Sequence, residues 1–191
     1  MPVLQKEFIL EQVLDVAHLP VLLGGDGIAA AQMMAEKLVE TFQTRSKILY
    51  LGLNDYHDIA AHLAREMHKG LIMKRPPLPA VLLDGEKAKE KTDYENILLQ
   101  QVEKNGEKGD VLFLLNGGKN SCLDTLLTKA ETMNLGVLLF SGYPKPKKIP
   151  SPYFFYIPSA NRARVEEVFL IMGHIICTLV ESILFSDGDG I

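Results

Sequence analysis

Residues 47–66 read KILYLGLNDYHDIAAHLARE. The apolar run ILYLG at 48–52 is short and meets turn residues at Gly52, Asn54 and Asp55, so it reads as a strand buried on both faces. From Asp55 to His68 the spacing changes to helical, with strong helix formers at the alanines, leucine and arginine. Strand, tight turn and helix in that order form the first half of a right-handed crossover.

The same alternation repeats towards the C-terminus. AVLLD at 80–84, DVLFLL at 110–115, GVLLF at 136–140 and YFFYI at 153–157 are further buried-strand candidates. Between them Asp93 to Lys104, Asn120 to Met133 and Asn161 to Phe185 carry helical periodicity. The expected fold is therefore α/β, a doubly wound five-stranded parallel sheet covered by helices on both faces.

Towards the N-terminus no strand pattern is found. Leu4, Phe8, Leu10, Val13, Leu14 and Ala17 recur at helical spacing until Pro20, Gly24 and Gly25. Asp26 can cap a second helix through about Phe42, with Ile28, Met33, Met34, Leu38 and Phe42 as its expected buried stripe. Residues 1–45 thus add two helices to an α/β core at 46–185 in one domain, and the polar, glycine-containing 186–191 reads as a frayed tail. The basic, proline-rich YPKPKKIP at 143–150 reads as a solvated connector.

Composition narrows the function classes. The 191 residues are 47% hydrophobic and 23% charged, enough for a sizeable core, and the net charge of −4 offers no general attraction to nucleic acid or anionic lipid. Cys122 and Cys177 stand far apart without a CxxC spacing, the usage of a reduced compartment, which points to the cytoplasm. No apolar run reaches the roughly 18 residues of a membrane span, and the first residues show no export signal.

Ligands of open parallel α/β sheets bind beyond the strand carboxyl ends, where loops enter helices. Two loops qualify: Gly52 to Tyr56, and Asn116-Gly117-Gly118-Lys119-Asn120-Ser121. In the second, paired glycines permit close backbone approach, Lys119 brings charge and Ser121 a hydroxyl, a combination suited to a phosphate monoester and equally to ordinary turn chemistry. Asn120 or Ser121 can cap the helix that follows.

Titratable side chains supply a second lead. His62 and Glu66 lie one turn apart on the helix after the first loop, as an acid–base or ligand pair or as a plain surface pair. Glu166 and His174 lie eight residues apart on the last helix, and His174 sits in the apolar run IMGHIICTLV, where a histidine is ordinarily a satisfied core residue. If the two helices pack together, His62, Glu66, Glu166 and His174 can converge as two imidazoles and two carboxylates, a set fit for a divalent metal or for proton transfer.

RPPLPAVLL at 75–83, GDVLFLLNGGKNS at 109–121 and IPSANRARVEEVFLIMGHIICTLVESILF at 157–185 resemble the sugar isomerase (SIS) fold, in the group of phosphoheptose isomerase and DiaA, the DnaA initiator-associating protein. The resemblance spans nearly the whole chain. It implies a flavodoxin-like five-stranded parallel sheet with extra N-terminal helices, a homotetramer with pockets between subunits, and a sugar phosphate as ligand. Glu66 and His174 match the acid and base of the isomerases. In members that carry a divalent metal, zinc, its ligands match His62, Glu66, His174 and, with Glu for Gln, Glu166.

The phosphosugar contacts implied are Gly52, Asn54, Asn116, Gly117, Gly118, Lys119, Asn120 and Ser121. The pattern departs from the family here: Gly-Asn-Gly-Gly-Ser becomes Gly52-Leu53-Asn54-Asp55-Tyr56, and Ser-Thr-Ser-Gly-Asn-Ser becomes Asn116 to Ser121. Each lost hydroxyl donor weakens phosphate binding by about 1 kcal/mol or more, and Tyr56 is expected to fill space that a small residue leaves open. The DiaA resemblance implies a DnaA-binding surface that includes Leu184 and Phe185 at the end of the last helix.

Overall fold

A computed structural model describes residues 2–22, 24–84, 91–150 and 152–185. Two helices, α1 (Pro2–Leu22) and α2 (Gly24–Gln43), precede β1 (Ile48–Gly52), a 3-10 turn at Asn54–Tyr56 and α3 (His57–Lys69). Then follow β2 (Ala80–Leu82), α4 (Lys91–Asn105), β3 (Val111–Asn116), α5 (Leu123–Thr132), β4 (Gly136–Ser141), β5 (Phe154–Tyr156) and α6 (Arg162–Phe185). The expected α/β fold is observed, and the residues expected as a tail lie outside the described ones.

All five strands are parallel, in the order β2-β1-β3-β4-β5. Every residue of β1 and β3 is buried, as their uninterrupted apolar runs require. Alternation along the strands then divides the core in two. Ile48, Tyr50, Val111 and Phe113 face α2, α3 and α6, whereas Leu49, Leu51, Leu112 and Leu114 face α4 and α5.

On the first face, rings form a row across the sheet. Tyr50 packs on Phe113 at 5.2 Å, Phe113 on Phe140 at 4.9 Å, and Phe140 on Phe155 at 5.0 Å, measured between centroids. Helix α6 lies on this row through Phe169, 5.4 Å from Phe140. By length and composition α6 is long and apolar enough to cross a membrane, which corrects the expectation that no apolar run reaches that length. Here it is instead the helix that covers the sheet, with Val168, Phe169, Ile176 and Val180 buried.

One ion pair fixes how α3 leaves the sheet. Glu181 of α6 is fully buried and accepts the N–H groups of Leu71 (2.6 Å) and Ile72 (2.9 Å) and two nitrogens of Arg75, Nε at 3.1 Å and Nη2 at 2.9 Å. Arg75 also donates to the Met67 carbonyl at 2.7 Å and faces the Phe185 ring at 5.5 Å. A buried carboxylate is tolerable only with this many donors. The pair thus fastens the C-terminal turn of α3 to the last turns of α6.

The two N-terminal helices form as expected, but their apolar stripes are only partly covered. Met34 and Leu38 are fully buried, whereas Ile28 is 72% exposed, and Phe8, Leu10, Val13 and Leu14 of α1 face outward. Periodicity identifies an apolar face without showing whether the same chain covers it. For Ile28 nothing among the described residues does.

Truncating either member of the buried pair leaves the other charge unpaired in the core. Arg75→Ala and Glu181→Ala should each lower stability by about 3–5 kcal/mol in urea unfolding. A loss below 1 kcal/mol would show that the pair is not buried as described.

Candidate functional site

β1 and β3 are neighbours whose following connections leave in opposite directions, so the crevice beyond Gly52 and Asn116 is the topological switch point of the sheet. Both sequence-predicted loops border it. The first is drawn tight: Leu53 N–H donates to the Leu115 carbonyl at 2.9 Å, Tyr56 N–H to the Leu53 carbonyl at 3.3 Å, and Asn54 adopts φ +54°. Asn54 is exposed, and its own N–H donates to the Tyr94 hydroxyl at 3.0 Å.

This turn sends the Tyr56 side chain back across the crevice. The ring is 6% exposed, packs on Phe169 at 5.4 Å and lies so close to Gly117 that a Cβ there would overlap it. Gly52 is required for the same reason, since its Cβ would overlap the Tyr56 carbonyl. Burial, with a smaller contribution from the Glu166 carboxylate, pushes the phenol up to about 12, so it stays protonated at neutral pH. The filling expected of Tyr56 is what the structure shows.

Much of the second loop is committed internally. Asn116 is buried and bonds the Ser141 hydroxyl at 3.3 Å, and Asn120 Oδ1 accepts the Cys122 N–H at 2.7 Å in a local turn; the N-cap of α5 is Cys122, which has no side-chain cap, in place of the expected Asn120 or Ser121. Lys119 and Ser121 are exposed at the rim. At the mouth Arg162 bridges the Asp55 carboxylate at 2.9 Å and the Glu166 carboxylate at 2.6 Å, tying the first loop to α6.

Farther along the seam between α3 and α6 lies a second polar group. Gly173 is the notch that allows it, because a Cβ there would fall 2.5 Å from Leu63 Cδ2. The flanking residues therefore meet, His62 Nε2 to His174 Nε2 at 2.7 Å. Arg65 Nη2 stands 2.7 Å from His62 Nδ1, and Glu66 Oε1 lies 3.9 Å from the same nitrogen and 3.4 Å from Arg65 Nε.

The donors assign the protons. A guanidinium can only donate, so His62 Nδ1 accepts; its Nε2 then carries the hydrogen and gives it to His174 Nε2. Burial is the first cause that pulls the His62 imidazole below its ordinary value, with His174 and Arg65 acting the same way against Glu66. A neutral His62 agrees with that bonding.

No family model matches the chain. It is 29% identical to the phosphoheptose isomerase of Thermodesulfovibrio yellowstonii over 167 residues, covering 84% of this chain and 83% of that one. A phosphoheptose isomerase structure from Francisella tularensis superposes with a TM-score of 0.82 at 19% identity, over 93% of this chain and 98% of the other. The chain's fold is that of the phosphoheptose isomerases. The fold is also that of HobA in a HobA–DnaA (domain I–II) complex from Helicobacter pylori, with a TM-score of 0.67 at 14% identity over 97% and 96% of the two chains.

Within this fold the expected four-residue set is divided. His62, Glu66 and His174 come together inside one chain, whereas Glu166 stays with Arg162 and Tyr56, about 12 Å along α6 from His174 at 1.5 Å per residue. As arranged, the set does not fit a zinc ion. Two imidazole nitrogens on one tetrahedral zinc stand about 3.3 Å apart, each presenting a lone pair, and here they share a hydrogen bond. Among the described residues no group of three or more His, Cys, Asp or Glu is placed to hold a metal.

Leu184 and Phe185 are half-buried and pack against the hydrophobic core, while Ile183 beside them is 53% exposed. Sequence reasoning missed Arg65 and Arg162. Both were open to it, as Arg65 follows His62 by three residues and Arg162 precedes Glu166 by four, spacings that place helical side chains in contact.

Gly173→Ala should drive a methyl group into Leu63, costing about 1–3 kcal/mol and parting the two imidazoles. Nitrogen-15 histidine spectra would follow the second effect. Unchanged His62 and His174 ring resonances in the variant would exclude the close contact.

Proposed function

We propose that this SIS-domain protein acts in the cytoplasm as a phosphosugar-binding protein of the phosphoheptose isomerase kind. The observation that carries the reading is the meeting of His62, Glu66 and His174 across α3 and α6, in a chain similar to phosphoheptose isomerases over most of its length. Sedoheptulose 7-phosphate is the leading ligand. Lys119 and Ser121 at the rim, with the Gly117 and Gly118 backbone, are the groups available to a phosphoryl end.

The chemistry suited to the cluster is aldose–ketose exchange through an enediol. Glu66 takes the proton from the carbon next to the carbonyl and returns it to the neighbouring carbon, while His174 carries the proton between the two oxygens. His62, neutral and donating to His174, holds that ring in place. Conversion of sedoheptulose 7-phosphate by the native protein, with at least a hundredfold loss in Glu66→Gln, is the expected outcome. No product from the native protein would remove catalysis, and calorimetry with the same sugar would still test binding.

A second reading is a non-catalytic DiaA-like homotetramer that binds DnaA. It is favoured by Tyr56, which fills the position over Gly117, and by the likeness to HobA in its complex with DnaA. The outward apolar residues of α1, Ile28, and Ile171, Ile175 and Ile183 of α6 supply faces for self-association, with a groove of about 540 Å³ between α2 and α6. Light scattering on mixtures with DnaA should show a species of four 21.2 kDa chains whose mass rises with DnaA, and no rise for Leu184→Ala/Phe185→Ala. An equal rise for both would remove the proposed surface, and a 21.2 kDa species would remove the tetramer.

A further inference from the structure

We propose that Tyr56 is the specificity-determining residue of the crevice: its ring stands where the Gly117 backbone would hold a phosphoryl group, so the two exclude each other. This rests on the reading of the crevice as a phosphosugar site. It goes beyond that reading by naming the side chain that limits access, and it concerns a residue with no counterpart in the glycine- and serine-rich pattern that the loop resembles.

Three observations converge on Tyr56. Space above Gly117 is taken by the ring, because even a methyl-sized Cβ there would overlap the phenol. The ring is seated rather than loose, with Phe169 behind it at 5.4 Å and 6% of the residue exposed. Its surroundings also hold the nearest cation back: Asp55 and Glu166 place two carboxylates at the mouth, and Arg162 between them is engaged by both. An approaching phosphoryl group therefore meets an apolar ring, with Arg162 already paired and Lys119 out at the exposed rim.

Phosphosugar binding then requires the phenol to leave its seat on Phe169. The apparent affinity is reduced by the fraction of molecules in which the ring is out, and packing in the core keeps that fraction small. Side chains that reach Phe169 but not Gly117 relieve the competition. Tyr56→Leu meets this condition, whereas Tyr56→Phe keeps the ring in place.

Isothermal titration with sedoheptulose 7-phosphate distinguishes the outcomes. Tyr56→Leu should bind at least tenfold more tightly than the native chain, with Tyr56→Phe close to native. Equal affinity in all three would overturn the role of Tyr56 and leave the phosphosugar reading standing. Absence of binding in all three at millimolar sugar would overturn that reading and this inference together. Should Tyr56→Leu not fold, as judged by circular dichroism, the native chain still decides. Its Tyr56 ring resonance, assigned by comparison with Tyr56→Phe, must shift on saturation with the sugar, and an unmoved resonance would overturn the inference.

Discussion

The contact on which the polar features of this molecule depend is apolar. Leu63 of α3 fits the notch at Gly173 of α6, and no larger residue leaves room for it. Because α6 is itself held by the row of rings across the sheet, this notch sets where α3 runs. The seam is then fastened at both ends, by the Asp55–Arg162–Glu166 bridge near the crevice and by Arg75 and Glu181 at the far end. The first bridge is exposed and contributes little energy, so the notch and the buried pair carry the geometry.

Two polar centres follow from one seam. Close to the sheet the helices frame a crevice that Tyr56 fills, and farther along they bring two imidazoles and a carboxylate together. A resemblance taken residue by residue suggested one four-membered set. The rise of a helix divides it, because Glu166 and His174 are separated by about 12 Å along α6 and each is engaged elsewhere, by Arg162 and by His62. Within a single chain, the carboxylate at 166 belongs to the crevice and the histidine to the cluster.

Much of the fold was legible because β1 and β3 are buried along their whole length and bounded by turn residues, which leaves a short apolar run few alternatives. The pairing of His62 with Glu66 was legible from spacing alone. Their meeting with His174 was not, since it depends on how two distant helices pack, and the telling residue is a glycine with no chemistry of its own. Ile28 was misjudged for a related reason: periodicity describes one helix, and coverage is a property of what surrounds it.

Tyr56 is at once the floor of the crevice and a member of the hydrophobic core that includes Phe169 and Phe140. Any ligand that displaces its ring uncovers Phe169, so occupancy of the crevice and cohesion of the core are opposed through a single side chain. Changes that tighten packing around Phe169 make the protein more robust and the crevice harder to open, and changes that loosen it do the reverse. Stability and ligand access in this domain are therefore linked quantities.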